Sequence, residues 1–317
     1  MSHGYSVTRR DLGVLEDLAR MRYLRTSQVQ MLHFPSRRVA NRRLEALRSA
    51  GYVDRFRLPM IMGQGSADYV YCLTQQGGEL LVTLGDLPLE EMRWPQRNSR
   101  PKNSFLMEHH LGINDFWIAM ESSCKTSGLS LPAFVPEYYG KGTESGGIRR
   151  VIADSAPDPE APGTNLWFTP DAMFILERSE KRSLFFLEVD RGTEKIASRQ
   201  YAAFADKIRA YLSYHRSKGF RRWGEQFKGF RVLVVTDSNA RKANLIASAA
   251  QLGAAKLIWF TTSHQVNGQL AVGAVWQVPG SAVELPLVTR DLDTTHQLAR
   301  VDAGVPVGIP TGVLSSE

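Results

Sequence analysis

At 317 residues and 43% hydrophobic content, the chain is long enough for about two domains and apolar enough to bury a core in each. No apolar run approaches the ~20 residues of a membrane helix, the opening residues 1–13 lack the apolar middle of a signal peptide, and the two cysteines, Cys72 and Cys124, lie too far apart to suggest a disulfide framework or a zinc cluster, so a cytoplasmic protein is expected. The net charge of +7 is concentrated, because residues 1–60 hold 12 arginines, no lysine and 5 acids, whereas the rest of the chain holds 27 basic and 27 acidic residues.

Charge gathered in one segment points to a polyanionic partner for that segment. The exclusive use of arginine there favours forked contact with phosphate and guanine. Thr8 is placed to cap a helix over 9–23, with Leu12, Leu15, Leu18 and Ala19 as its apolar stripe. A break at Leu24-Arg25-Thr26 precedes a short helix over 28–33, which Phe34-Pro35 ends. Ser36 then caps a third helix over 37–50, closed by Gly51. On a helical wheel Val39, Ala40, Leu44, Leu47 and Ala50 share one face, and Arg37, Arg38, Asn41, Arg42, Glu45 and Arg48 the other. Arg43 falls among the apolar positions, and the wheel does not explain it.

Two strand-like runs, 52–58 and 67–73, flank a glycine-rich tip. The order helix, helix, helix, strand pair resembles the winged helix-turn-helix, in which the third helix enters the major groove and the wing follows the backbone. That resemblance implies double-stranded DNA as the partner. Arg37, Arg38 and Asn41 are then the base-edge candidates, and Arg42, Arg48, Arg55 and Arg57 the phosphate candidates. A helix over 74–84 is either a homodimer contact or the last helix of this domain, and residues 85–104 read as a linker.

The second domain is expected over 105–276, with a partly loose extension over 277–317. It begins with a helix over 105–126 whose apolar side carries Leu106, His110, Ile113, Trp117 and Met120. The adjacent His109 and His110 do not face one another on a helix, so they suggest packing or capping rather than metal binding. A strand over 131–139 follows, with Glu137 at its end as a candidate ligand, and then a long irregular excursion over 140–166. Two apolar runs, 172–176 and 184–189, are joined by a charged turn and read as a hairpin. The second run is apolar on both faces, as expected of a strand inside a sheet covered by helices. Acids stand where such strands should be apolar. Asp171 opens the first, and Glu188 and Asp190, two residues apart on one face, close the second. A helix over 196–215 carries Tyr201, Phe204, Ile208 and Leu212 in a stripe, with Lys207 at its margin and Tyr211 one turn on. The strand 231–236, the helix 239–252 and the strand 256–261 then imply a parallel crossover. No phosphate-binding loop, nucleophile elbow or dinucleotide fingerprint occurs.

Pro170-Asp171 followed by Glu188-Val189-Asp190 resembles the PD-(D/E)xK restriction-endonuclease-like superfamily. The resemblance implies a mixed sheet flanked by helices and a Mg²⁺ ion held by Asp171 and Glu188, with the Val189 carbonyl as a further ligand. Glu108 and Asp115, on the first helix, are further acids for such a site. The superfamily places a lysine where this chain has Asp190. Some members carry that lysine on the next helix, which makes Lys207 its candidate and Lys195 a second. The phrase from Leu187 to Glu194 (LEVDRGTE), with the lysine and tyrosine that follow, resembles the replication-relaxation family of plasmids, phages and integrative elements, which carries an amino-terminal winged helix. The expected architecture is therefore α+β in two domains, the first over 1–84. Asp171, Glu188, Asp190 and Lys207 are the catalytic candidates of a DNA-binding protein that nicks or cleaves DNA. An alternative is a nuclease-like domain without catalysis in a regulator or replication accessory protein, which Asp190 in the lysine position favours. A repressor with a ligand-sensing second domain is a third reading.

Overall fold

The computed structural model describes residues 6–58, 68–84, 104–142, 148–191, 197–268 and 270–288. The expected tip of the strand pair, the linker, Lys195 and most of the carboxy-terminal extension lie outside them. The chain divides into two compact units, 1–118 and 119–317.

In the first unit, α1 (Arg9–Met21) starts at the expected cap, where Thr8 and Asp11 form a reciprocal capping box. Its buried face is Asp11, Val14, Leu15, Leu18 and Met21, rotated from the stripe expected through Leu12 and Ala19. The expected break is a two-residue strand, β1 (Leu24–Arg25), before α2 (Thr26–His33). The third helix, α3 (Arg37–Ser49), has Ser36 as its cap and buries Ala40, Leu44 and Leu47. Gly51 follows at φ +81°, a left-handed position that glycine adopts at no steric cost. Strands β2 (Val53–Arg57) and β3 (Tyr69–Leu73) pair antiparallel, and β1 joins the free edge of β3 in a three-stranded sheet. Helix α4 (Gln75–Leu84) closes the run.

Arg43 is explained by its partner. Its guanidinium grips Asp11, which is fully buried on α1, with Nε donating to Oδ1 at 3.0 Å and Nη2 to Oδ2. The acid therefore caps one helix and ties it to another. Burial pushes its carboxyl up, but Arg43 and Thr8 together hold it below the usual aspartate value of 3.8.

The next helix, α5 (Ser104–Ser127), is one continuous element, and the division into units falls within it, between Ile118 and Ala119. In the first unit Met107 and Leu111 pack with Tyr23, Val70 and Cys72. Leu106, expected on the apolar side, is exposed. Glu108 and Asp115 both pair with Arg25, and Asp115 also accepts from Gln28 at 2.7 Å.

The second unit is built on a seven-stranded mixed sheet with helices against it. Five of its strands are β4 (Ser130–Pro136), β9 (Ala172–Arg178), β10 (Lys181–Asp190), β11 (Phe230–Thr236) and β12 (Ile258–Thr262). They lie side by side in the order β4-β9-β10-β11-β12. The pairs β4–β9 and β9–β10 are antiparallel, whereas β10, β11 and β12 run parallel, as the crossover pattern implied. Strands β13 (Ala274–Gln277) and β14 (Glu284–Pro286) complete the sheet beyond β12, after a short helix, α8 (Ser263–Gly268). The crossover helices are α6 (Ala197–Arg216) and α7 (Asn239–Gln251).

The excursion 140–166, expected to be irregular, forms two hairpins instead. One pairs β5 (Gly140–Gly142) with β6 (Ile148–Arg150), and the other pairs β7 (Asp154–Pro157) with β8 (Asn165–Phe168). Phe168 stands 4.7 Å from Tyr211 and 5.0 Å from Tyr214 on α6, ring centre to ring centre, so the second hairpin belongs to the core. Leu184 to Glu188 are all buried, which confirms a strand covered on both faces. Phe186 joins the aromatic cluster under α6, and Phe185 stacks on Phe174 on the opposite face, 5.0 Å apart.

Among the described residues no helix is long and apolar enough to cross a membrane.

Candidate functional site

Asp171 stands just before β9, where the ladder with β10 has ended at the pair Ala172 and Leu187. Its backbone N–H donates to the Leu187 carbonyl at 2.9 Å, and its own carbonyl accepts from the Glu137 N–H at 2.7 Å. Its side chain continues the ladder. Oδ2 accepts the Val189 N–H at 2.6 Å, doing for one step what a strand carbonyl would do. Asp171 is buried and tethered to the residue that follows Glu188.

Glu188 faces α6 from near the carboxy-terminal end of β10, in register with Val234 of the parallel neighbour β11. It is 6% exposed, so both carboxylate oxygens need partners. Helix α6 supplies them from two residues one turn apart, which lie on the same face. The Tyr211 hydroxyl donates to Oε1 at 2.6 Å, and the Lys207 ammonium donates to Oε2 at 2.5 Å. Burial pushes the Glu188 carboxyl up to about 7, against the Lys207 charge, and Asp171 adds to the rise. Burial alone would lower the Lys207 ammonium, but the charges of Glu188 and Asp171 outweigh it, and Lys207 stays protonated well above its ordinary range. Burial, followed by the charge and hydrogen bond of Glu188, likewise raises the Tyr211 hydroxyl.

Glu137 contributes to the field at Lys207 and pairs with Arg150 at 2.7 Å. Three acids and one lysine of the second unit thus share one electrostatic neighbourhood. Asp190 has a different partner. The first turn of α7, capped by Ser238, brings Arg241 onto it, with Nη2 donating to Oδ1 at 2.8 Å and Nε to Oδ2. The residue in the lysine position of the motif is therefore tied up by an arginine, while Asp171, Glu188 and Lys207 come together. Tyr211 and Arg241 were not singled out as site residues from the sequence. For Tyr211 the signal was its place four residues after Lys207, and Arg241 carried none.

In the first unit, a cavity of about 380 Å³ lies between α3 and the β2–β3 pair, lined by Arg37, Asn41 and Glu45 on one side and Arg55, Arg57 and Tyr69 on the other. The Arg55 and Arg57 guanidinium carbons stand 4.0 and 4.3 Å from the Tyr69 ring centre. Arg37 pairs with Asp68. Arg48 and Arg55 both pair with Glu45, at 2.6 and 2.8 Å. Arg38, Asn41 and Arg42 are exposed on α3. The seven DNA-contact candidates thus lie on α3 and β2, and four of them, Arg37, Asn41, Arg55 and Arg57, line this cavity.

No curated protein and no solved structure is significantly similar to the chain. The family model described as replication-relaxation matches residues 15–227, which takes in the first unit from within α1 onward and, in the second, the strands and helix that carry Asp171, Glu188 and Lys207. With two thirds of its length matched, the chain belongs to the replication-relaxation family.

Proposed function

We propose that the protein acts on the DNA of a mobile genetic element, with the first unit as a winged helix-turn-helix that binds the duplex and the second as a PD-(D/E)xK-like nuclease domain that nicks it. The observation that carries the second half is the arrival of Lys207, from the helix after the motif, on Glu188 beside Asp171. The replication-relaxation family and the arginine-rich α3 support the first half.

The donor set fits a hard divalent cation. Asp171 and Glu188, with Glu137 close by, offer only carboxylate oxygens, and each oxygen has a second lone pair beyond the hydrogen bond it accepts. Asp171 and Glu188 would hold Mg²⁺, which when bound supplies an activated water and offsets charge on the scissile phosphate. The Val189 N–H fixes the Asp171 carboxylate. Tyr211 orients Glu188 from the buried side. Lys207, kept protonated by its acidic neighbours, places a positive charge where a phosphate would gain negative charge during attack.

A second reading rests on Asp190. An aspartate locked to Arg241 replaces the lysine of the motif, as expected of a nuclease-like domain that has lost catalysis and serves assembly or DNA positioning. Incubating supercoiled plasmid with the protein across a Mg²⁺ titration separates the two readings. The first predicts nicking that rises with Mg²⁺ and falls in Asp171→Asn by more than the ~100-fold typical of a residue that merely supports a ligand. Intact plasmid with the wild-type protein at every metal concentration favours the second.

A further inference from the structure

An acid on a surface that meets a polyanion weakens binding, and Glu45 stands on the arginine-rich face of α3. It is also held in one position. Arg48 Nε lies 3.2 Å from each carboxylate oxygen and Nη2 2.6 Å from Oε1, while Arg55, reaching across from β2, places Nη1 2.8 Å from Oε2. These contacts leave the Glu45 side chain 42% exposed, in the wall of the cavity between α3 and the strands. A carboxylate offers about four acceptor sites and no donor; three arginine N–H groups point at this one, with Arg48 Nε shared between the two oxygens, so about one site stays open.

Resting on the reading of α3 as the groove helix of a winged helix-turn-helix, we propose that Glu45 is a specificity-determining residue that accepts a hydrogen bond from the amino group of a cytosine. Arg48 and Arg55 act as its positioning residues. An acceptor-only group can pair only with base-edge donors, which in the major groove are the amino groups of cytosine and adenine. Adenine sets its N7 acceptor beside that amino group, facing the second carboxylate oxygen, whereas the cytosine edge has no such acceptor. Restraint by two guanidiniums reduces the side-chain entropy lost on contact and screens Glu45 from neighbouring phosphates.

The test is selection of bound duplexes from a randomised pool by the full chain, in wild type, Glu45→Gln and Glu45→Ala, with anisotropy titrations on the enriched duplexes. Because the site is exposed, the three proteins should melt at similar temperatures. Wild type is expected to enrich cytosine at one position that becomes adenine in Glu45→Gln, since glutamine pairs with adenine. Glu45→Ala should lose the preference there, with discrimination falling about tenfold. An identical enriched sequence for all three proteins, with the variants only tighter on every duplex, would overturn the proposal. Failure of all three to bind any duplex would overturn the winged-helix reading beneath it, an outcome distinguishable because no sequence would be enriched.

Discussion

Replacing Lys207 with methionine is expected to destabilise the second unit and to reduce metal-dependent nicking together, with the stability loss growing as the pH rises above 7. Glu188 is nearly sealed from water, and Lys207 is the cation that compensates its charge. Removing one member of a fully buried pair costs ~3–5 kcal/mol. The Lys207 side chain is 35% exposed, so water replaces part of the ammonium and the expected loss is about 2 kcal/mol. Burial sets Glu188 at about 7, above its ordinary 4.5. A carboxyl raised in this way favours the fold below the unfolded value and loses that contribution as the pH climbs through the folded one. Without Lys207 the folded value rises further, so the two proteins differ little at pH 6, where Glu188 is largely protonated in both, and most at pH 8 and above. Thermal melts from pH 5 to 9 check this, with Lys207→Met/Glu188→Gln as the control that should restore stability and flatten the profile. A Lys207→Met protein that melts like wild type at pH 8 would show that the pair does not carry this charge.

Arg43→Met is expected to have the larger effect on the first unit. Asp11 has no exposed surface, and its partners are Thr8 within the same helix and Arg43 from α3. The variant leaves a buried carboxylate with only the capping bonds, at a cost of ~3 kcal/mol near neutral pH. For a unit of this size that lowers the melting temperature by roughly 10–20 °C. The pH dependence runs opposite to that of Lys207→Met. The wild-type Asp11 carboxyl is held below 3.8, so its stabilising contribution is present above that value and lost as the pH falls through the folded one. The deficit of Arg43→Met should therefore shrink in acid, and Arg43→Met/Asp11→Asn should recover much of the neutral-pH loss. Circular dichroism melts at pH 3 and pH 7 measure both.

The order of elements was legible in the chain because most are long and strongly periodic, and because Thr8, Ser36 and Gly51 mark helix ends with local chemistry. Asp171 and Glu188 stood out because carboxylates stand next to the apolar runs 172–176 and 184–187 of the two strands. Asp190 stood out equally, but its partner comes from a helix some fifty residues on, and no local pattern announces a contact of that kind. Arg43 belongs with it, since an arginine in an apolar stripe becomes intelligible only once the opposing helix is seen to bury an aspartate. The hairpins of 140–168 were missed because strands of three or four residues hold too little alternation to distinguish from loop. Nor does the sequence punctuate α5. The helix continues through the division at 118, and an apolar face centred on Met107 and Leu111 differs by one position from one centred on Leu106 and His110.

The proposed cation site is formed by Asp171 and Glu188 with Lys207 beside it. Calorimetric titration of the full chain with Mn²⁺, in wild type and in Asp171→Asn, tests it without relying on catalysis. Wild type is expected to bind saturably at neutral pH, and Asp171→Asn to lose that binding while keeping its fold, because an amide oxygen can still accept the Val189 N–H. Absence of binding to wild type, or equal binding to both proteins, would contradict it.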